Sequence, residues 1–443
     1  MKKKLLLVII LVSVLFTYCN KPQIASDELF SSKQLRKDLR LLKKYLVNNH
    51  PDLYYYTDKN SFNSNFKKVH DLFAEKMTGM DFFRITTSLV TDVKCAHTRL
   101  LPSKGFINDI NNYVKCLPFR MKFFNKRAYV YKNYFDINTI EECSEIIEIN
   151  GIKPEEIYDN LASMSSRDGN TKTSVQNQIN SQVVNHLLSN QMTDSLFYIS
   201  FIAPEQSETQ NVSLKPHTYR EVLSEYWEGL SESEKARFRY EIIDNNIAYM
   251  KVGSFTDDED GESSSFLKES FRKTRNNNIS NLIIDLRGNS GGDPERAIDL
   301  LSYLTDKEIV YFAKGSYGYP GLKRPFKPHK NYYKSNVYFL IDGGCVSTTG
   351  HFCSIAKYHK LGHFIGEETC ATYFCNDNSV EKTLPNTKMR LRVARSSFFT
   401  AVEGFEKGRG IIPDHNIEYT LEDILTDNDK TLNYTIKHIK ENL

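Results

Sequence analysis

The chain has 443 residues, more than one ordinary domain holds, so about two or three domains are expected. Hydrophobic residues make up 40% of it and charged residues 26%, which is typical of folded proteins and excludes a disordered chain. The formal net charge of +3 is nearly balanced and the basic residues are scattered, so the sequence predicts no nucleic-acid partner.

The N-terminal segment 1–19 predicts export. Lysines follow Met1, and an apolar run extends from Leu5 to Phe16. A run of this length is too short to span a membrane and is typical of a signal peptide. Cys19 follows directly, which resembles a bacterial lipoprotein signal, in which the cysteine is lipidated and becomes the mature N-terminus. We therefore expect a protein of the bacterial cell envelope, lipid-anchored in the outer membrane or periplasm, with plain secretion as the alternative.

Cysteine usage gives no indication of a metal centre. Seven cysteines follow Cys19, so any set of internal disulfides leaves at least one free thiol, and their pairing is left open. None of them has paired CxxC spacing, and no HExxH motif occurs. We therefore expect neither a metal ion nor a cofactor.

Residues 28–103 have the periodicity of helices. Apolar residues recur at intervals of three and four. They include Leu35, Leu39, Leu42, Leu46, Phe62, Phe66, Val69 and Phe73. The last helix of this segment runs into Cys95-Ala96-His97-Thr98. The pattern predicts an N-terminal helical subdomain.

In residues 104–215 the apolar residues occur in short runs, which are typical of strands. The segment Glu145–Ile149 enters an Asn150-Gly151 turn, and a helix opens at Pro154. This order of strand, turn and helix resembles a PDZ module, and an ordinary β-hairpin is the alternative. We predict a PDZ-like β-rich module, which would bind a chain terminus by adding it as a strand to a sheet edge.

From residue 236 to residue 443 strands alternate with helices. Buried strands are predicted at 247–252, 282–286 and 337–341, and helices begin near Pro294 and Thr348. Such alternation predicts a mostly parallel sheet with helices on both faces. The whole chain is therefore expected to be a multi-domain α/β protein.

Four motifs in this last segment resemble the tail-specific (C-terminal processing) and tricorn-like serine peptidases. The run 281–293, NLIIDLRGNSGGD, matches the family signature hLIhDLRxNxGG. Ser347 follows the next buried strand, Gly366-Glu367-Glu368-Thr369 matches Gly-Glu-x-Thr, and the run 410–414 matches GxxPD. The resemblance implies a peptidase core of the ClpP/crotonase-like type with Ser347 as its nucleophile.

The resemblance also indicates the general base. In the tail-specific branch a lysine soon after the Gly-Glu motif activates the serine, but the run 370–374 contains none and Lys382 lies further along. The tricorn-like branch uses a histidine in a motif like DxHT. Here His97 and Thr98 match, with Cys95 in place of the aspartate. The resemblance implies that His97 is the base, and the alternative is a core or surface histidine.

The remaining site residues are implied by position. A carboxylate before the GxxPD motif would orient His97, and the candidates are Glu406, which we prefer, and Glu403. Backbone amides would form the oxyanion hole, because glycine lets the chain approach a substrate carbonyl closely. We assign these amides to Gly291, Gly292 and Thr348.

Two functions fit these observations. The first is a serine endopeptidase or carboxy-terminal processing peptidase that acts on peptides or proteins through an acyl-enzyme. The second is a non-catalytic, surface-anchored protein that uses the same fold to bind peptides or another ligand, because function resides in sites rather than folds. The sequence defines neither the substrate nor the oligomeric state.

Overall fold

A computed structural model of the chain describes residues 28–112, 115–135, 139–180, 196–256 and 261–442. The predicted signal segment 1–19, with Cys19, lies outside the described residues. Within these ranges no helix combines the length and the apolar character that a membrane span requires.

The N-terminal part is helical, as the periodicity predicts. Its helices are Ser32–Asn49, Lys59–Asp71, Gly79–Thr91 and Lys104–Asn112, and its short strands are Leu29–Ser31, Lys76–Thr78 and Arg99–Leu101. The apolar positions spaced by three and four are buried in one cluster, with Leu35 and Leu42 fully enclosed. Capping boxes at Ser31 and Thr78 satisfy the free amides where two of the helices begin.

A hairpin from much later in the chain completes this helical domain. The strands Val380–Thr383 and Arg390–Val393 pair with each other, and the second also pairs with Arg99–Leu101. Leu391 lies in the same hydrophobic cluster as the helices. The fully buried Asp38 accepts hydrogen bonds from the amide and hydroxyl of Thr387, both at 2.8 Å. We call this segment the returning hairpin, and nothing in the local sequence predicts its partner.

The middle of the chain forms a β-rich module around a five-stranded antiparallel sheet. In sheet order the strands are Phe119–Phe124, Arg127–Asn133, Glu145–Ile149, Phe197–Ile202 and Gln210–Leu214. The helices Pro154–Met164 and Lys172–Asn180 accompany it, and the strand pair Lys115–Cys116 and His217–Thr218 leads to the helices Tyr219–Gly229 and Glu232–Lys235. Side chains of Asn180 and Gln176 bond the backbone of Phe123 at one edge strand. The PDZ-like assignment of this module stays a prediction.

The core is a six-stranded sheet. In sheet order its strands are Phe238–Asp244, Ile247–Val252, Asn281–Asp285, Asn336–Ile341, His363–Gly366 and His415–Asn416. The first pair is antiparallel and the other neighbours are parallel, as the alternation of strands and helices predicts. Every residue of Asn281–Asp285 is buried, since helices cover both faces of a parallel sheet. The mixed α/β multi-domain fold is confirmed.

The remaining core elements cover this sheet or extend from it. Its helices are Glu262–Asn276, Pro294–Ser302, Thr348–Tyr358, Leu421–Leu425 and Lys430–Glu441, with a 3-10 helix at Pro320–Lys323. Its short outlying strands are Ile309–Val310, Pro325–Phe326, Phe374–Asp377 and Ser396–Phe399. The chain therefore leaves the core after Asp377, forms the returning hairpin in the helical domain, and re-enters the core at Ser396.

Candidate active site

Ser347 lies between the carboxyl end of the strand Asn336–Ile341 and the first residue of the helix Thr348–Tyr358. Open α/β sheets place their sites at this edge. Its backbone has φ +56° and ψ −125°, a conformation that L-residues rarely adopt and that is often found at functional sites. Gly291 packs directly against it, since a Cβ added there would lie 2.9 Å from the Ser347 Cβ.

Asn289 holds the loops around this serine together. The residue is fully buried, and its Nδ2 donates to the Val252 carbonyl at 2.9 Å. Its Oδ1 accepts from the Thr349 hydroxyl at 2.7 Å and from the Gly291 amide at 2.9 Å. One side chain thus joins the ends of three neighbouring strands, which explains the asparagine of the 281–293 motif.

His97 reaches Ser347 from the helical domain. Its Nε2 lies 3.1 Å from the Ser347 Oγ, although the two residues are 250 positions apart in sequence. The neighbouring backbone is anchored by the returning hairpin, because the Ala394 amide donates to the Thr98 hydroxyl at 3.2 Å. The predicted serine and histidine are therefore brought together where the helical domain meets the core.

Two carboxylates that the sequence did not indicate surround the His97 ring. Asp377 Oδ2 lies 3.5 Å from Nε2. Asp168 is 5% exposed, and its Oδ1 accepts from the Ala96 amide at 2.8 Å. Among the described residues its Oδ2 has no hydrogen-bond partner, and neither has the buried Nδ1 of His97. Burial raises the pKa of the Asp168 carboxyl, and the nearby His97 opposes that shift.

The carboxylates expected before the GxxPD motif lie elsewhere. Glu403 and Glu406 are both exposed. Among the ion pairs and hydrogen bonds of the described chain, none joins Glu406 to His97. The structure thus brings His97 to Ser347 but does not bring Glu406 to His97.

The three amides assigned to an oxyanion hole differ in availability. The Gly291 amide already donates to Asn289. The amides of Gly292 and Thr348 have no hydrogen-bond partner among the described residues, and the Thr348 hydroxyl donates to the Gly292 carbonyl at 2.6 Å. Gly292 and Thr348 therefore offer the two free donors beside the serine, and Gly291 contributes its lack of a side chain.

Cys95, His97 and Asp168 each offer one possible metal-ligand atom, and these three atoms lie within 4.8 Å of one another. Sulfur, nitrogen and oxygen donors of this kind bind zinc, and the thiol must be deprotonated to do so. Burial raises the pKa of the Cys95 thiol to about 12, which opposes that step. All seven cysteines after Cys19 are free thiols in this structure.

The other family motifs have structural roles. Arg287 pairs with Asp285 at 2.6 Å and with Asp429 at 2.6 Å, so the 281–293 motif is joined to the start of the helix Lys430–Glu441. Glu368 of the Gly-Glu motif accepts from the Gly410 amide at 2.8 Å, so this motif and GxxPD lie side by side. Gly350 has no room for a side chain, since an added Cβ would lie 2.5 Å from the backbone carbon of Ala371.

The comparisons with known proteins agree with this fold. Residues 246–417 match the family model described as Peptidase family S41. Among solved structures, the chain is similar to mature CPAF at 12% identity and a TM-score of 0.64, over 89% of this chain and 94% of that one. It is also similar to mature CPAF complexed with lactacystin at 12% identity and a TM-score of 0.63, over 92% and 97%. No curated protein sequence matches the chain.

The fold and the serine–histidine site together define a serine-type peptidase. The match of residues 246–417 to the model of peptidase family S41 agrees with the family resemblance of the four motifs.

Proposed function

We propose that the chain hydrolyses peptide bonds through an acyl-enzyme on Ser347, as an endopeptidase or a carboxy-terminal processing peptidase. The observation that carries the proposal is the 3.1 Å separation of His97 Nε2 and Ser347 Oγ. This is the hydrogen-bond distance over which a general base removes a proton. The same contact argues against a purely binding role, because binding alone does not require a histidine within hydrogen-bond distance of Ser347.

His97 acts first as base and then as acid in this mechanism. The neutral imidazole takes the Ser347 proton as Oγ attacks the carbonyl, and returns it to the leaving amine. The amides of Gly292 and Thr348 stabilise the oxyanion that forms on the carbonyl oxygen. Water then attacks the carbonyl of the acyl-enzyme, with His97 again as base, and this step releases Ser347.

Asp168 orients the imidazole in this proposal. A base whose Nε2 faces the serine must carry its proton on Nδ1, and a carboxylate near Nδ1 favours that tautomer. Asp168 meets this need, because one ring nitrogen of His97 lies within 4.8 Å of its carboxylate and both Nδ1 and Oδ2 are otherwise unpartnered. Asp377, on the Nε2 side, stabilises the imidazolium that forms during turnover. Glu406 is the competing candidate, proposed from its sequence position alone.

Covalent labelling tests the nucleophile. A fluorophosphonate probe is expected to label the wild-type protein at Ser347, since only an activated serine reacts with it. Labelling should disappear in Ser347→Ala and fall strongly in His97→Ala, as read by intact-mass spectrometry. Equal labelling of the Ser347→Ala protein would contradict the proposal. Wild type without any labelling would favour the binding role.

We propose in addition that the mature chain begins at a lipidated Cys19 and resides in the cell envelope. The support is the sequence of residues 1–19, with its basic start, apolar run and cysteine. Expression with an alkyne-tagged fatty acid is expected to label the wild-type chain and to leave Cys19→Ser unlabelled and uncleaved. Equal fatty-acid labelling of Cys19→Ser would contradict lipidation at this residue.

A further inference from the structure

Cys95, His97 and Asp168 form a cluster of donor atoms, and the proposed mechanism leaves the Cys95 thiol unused. One donor atom from each residue lies within 4.8 Å of the other two. Cys95 is 3% exposed, Asp168 is 5% exposed, and the His97 side chain is 12% exposed. Cys95 and His97 belong to the helical domain, whereas Asp168 lies between the helices Pro154–Met164 and Lys172–Asn180 of the β-rich module. The spacing of local sequence motifs therefore does not indicate this cluster.

Hydrogen bonds between the two loops hold the cluster together. The Ala96 amide donates to Asp168 Oδ1 at 2.8 Å, and the Gly169 amide donates to the Lys94 carbonyl at 3.1 Å. The Lys94 Nζ donates to Asn170 Oδ1 at 2.7 Å. These contacts fix the Asp168 carboxylate against the loop of the helical domain. A site that is already formed loses less free energy on binding than one that must assemble around its ligand.

Two donor atoms of the cluster are buried without a partner. Neither Asp168 Oδ2 nor His97 Nδ1 has a hydrogen-bond partner among the described residues. The Cys95 Sγ donates to the Asn376 carbonyl over a long 3.6 Å. Buried polar atoms without partners cost free energy, and a bound cation would recover part of that cost from the carboxylate oxygen and the ring nitrogen.

We infer that Cys95, His97 and Asp168 bind a zinc ion and that this ion inhibits the peptidase. Thiolate, imidazole and carboxylate are the ligands that zinc takes in proteins, and three of them leave one position for water. On binding, Cys95 releases its thiol proton to solvent, Asp168 binds as carboxylate, and His97 binds as neutral imidazole. Two negative charges then balance the two positive charges of the ion, which suits a buried site. Burial raises the pKa of the Cys95 thiol to about 12 in the metal-free chain, but the charge of a coordinated metal reverses that effect.

Zinc removes the general base whichever ring nitrogen of His97 holds it. An ion on Nδ1 takes the place of the proton there, so the neutral ring carries its proton on Nε2 and cannot accept the one from Ser347. An ion on Nε2 occupies the accepting lone pair itself. The effect on turnover rests on the proposed function, whereas binding of the metal does not.

Cobalt titration of the Ser347→Ala protein tests the metal site without turnover. Co²⁺ should produce the charge-transfer absorption of a cobalt–thiolate bond, and Zn²⁺, which binds such ligands more tightly, should displace it. The zinc affinity from this competition should fall at least about 100-fold in a Cys95→Ala background, since even a group that only supports a ligand typically contributes 10- to 100-fold. Cys143→Ala, which removes a partly exposed thiol of the β-rich module, should leave the absorption and the affinity unchanged. Thermal unfolding shows whether each variant folds, and Cys95→Ser, which is closer in size, repeats the comparison.

Fluorophosphonate labelling of the wild-type protein tests the inhibition. Zn²⁺ should suppress labelling and a chelator should restore it, whereas Mg²⁺, which prefers oxygen ligands, should leave it unchanged. In Cys95→Ala the zinc concentration that halves the labelling rate should rise at least about 100-fold. A cobalt spectrum without the thiolate absorption, an equal zinc affinity in Cys95→Ala, or zinc binding that leaves labelling unchanged would overturn the inference. Cobalt bound through Cys95 in a wild type that the probe never labels would support the metal site and contradict the proposed function, so the two proposals can fail independently.

Discussion

Replacing Ser347 by alanine is expected to lower kcat on an unstructured peptide by about a millionfold, to the residual rate that binding and the oxyanion hole supply. The reason is that the reaction loses its covalent route, and no other hydroxyl lies within hydrogen-bond distance of His97 Nε2 among the described residues. Single-turnover kinetics with a chromogenic peptide measure the loss. Ser224→Ala, at an exposed helical serine, is the matched control and should retain full activity.

The double variant Ser347→Ala/His97→Ala sharpens this prediction. Because the serine and its base act as one unit, His97→Ala alone should cost nearly as much as Ser347→Ala, and the pair little more than either. His70→Ala, at a half-exposed histidine of the helical domain, serves as the histidine control. Losses that multiply in the double variant would show that the two residues act separately and would contradict the proposed mechanism.

Replacing Asp168 by asparagine is expected to lower kcat by about 10⁴-fold, the size of effect seen when the carboxylate of a catalytic triad becomes an amide. Asparagine can still accept from the Ala96 amide, but it does not favour the proton on His97 Nδ1. The effect should appear in kcat rather than KM. Lysates that contain the wild-type protein or the Asp168→Asn variant should show similar amounts of soluble chain.

The pH dependence distinguishes this role from a structural one. Burial raises the pKa of Asp168 above its unfolded value, so the folded chain holds this proton more tightly than the unfolded chain does. Ionisation of Asp168 therefore lowers the free energy of unfolding at pH values above the pKa of this carboxyl in the folded chain. This loss of stability disappears as the pH falls through that pKa. Asp168→Asn should consequently keep or raise the melting temperature at neutral pH while activity falls, and the acid limb of the pH–rate profile should move. A lower melting temperature with unchanged kcat would contradict the proposal.

Glu406→Gln is the paired comparison. Its carboxylate is exposed and has no hydrogen bond or ion pair with His97 among the described residues, so we expect kcat to change less than about twofold. The opposite pattern, a large loss in Glu406→Gln and none in Asp168→Asn, would assign the orienting role to Glu406. The same two variants therefore decide between the carboxylate predicted from sequence and the one that lies beside the histidine.

The sequence predicted the features that depend on short segments. Helical periodicity located the buried face of Ser32–Asn49, since residues three and four apart share one side of a helix. The core strands and Ser347 could be predicted because each motif consists of residues close together in sequence. The pairing of Ser347 with His97 could be predicted only from the family resemblance. The structure confirms that these two residues meet.

The features that the sequence missed depend on distant contacts. Asp168 lies in a polar loop that is typical of linkers, and its burial against Ala96 follows only from the packing of two domains. The returning hairpin likewise pairs with Arg99–Leu101 although Arg390 and its partner Leu101 are 289 positions apart, and no local pattern encodes such a partner. The prediction of Glu406 depends only on its position before the GxxPD motif. A loop residue at such a position can direct its side chain to solvent, as Glu406 does.

The returning hairpin also affects when the active site can form. The helical domain needs strands that the ribosome makes only after the nucleophile and its loop, so an N-terminal fragment ending before Val380 contains Ser347 and His97 but lacks part of the support for His97. A chain still being made would then hold a serine without a positioned base. Completion of the polypeptide would then be the step that positions the base beside the nucleophile.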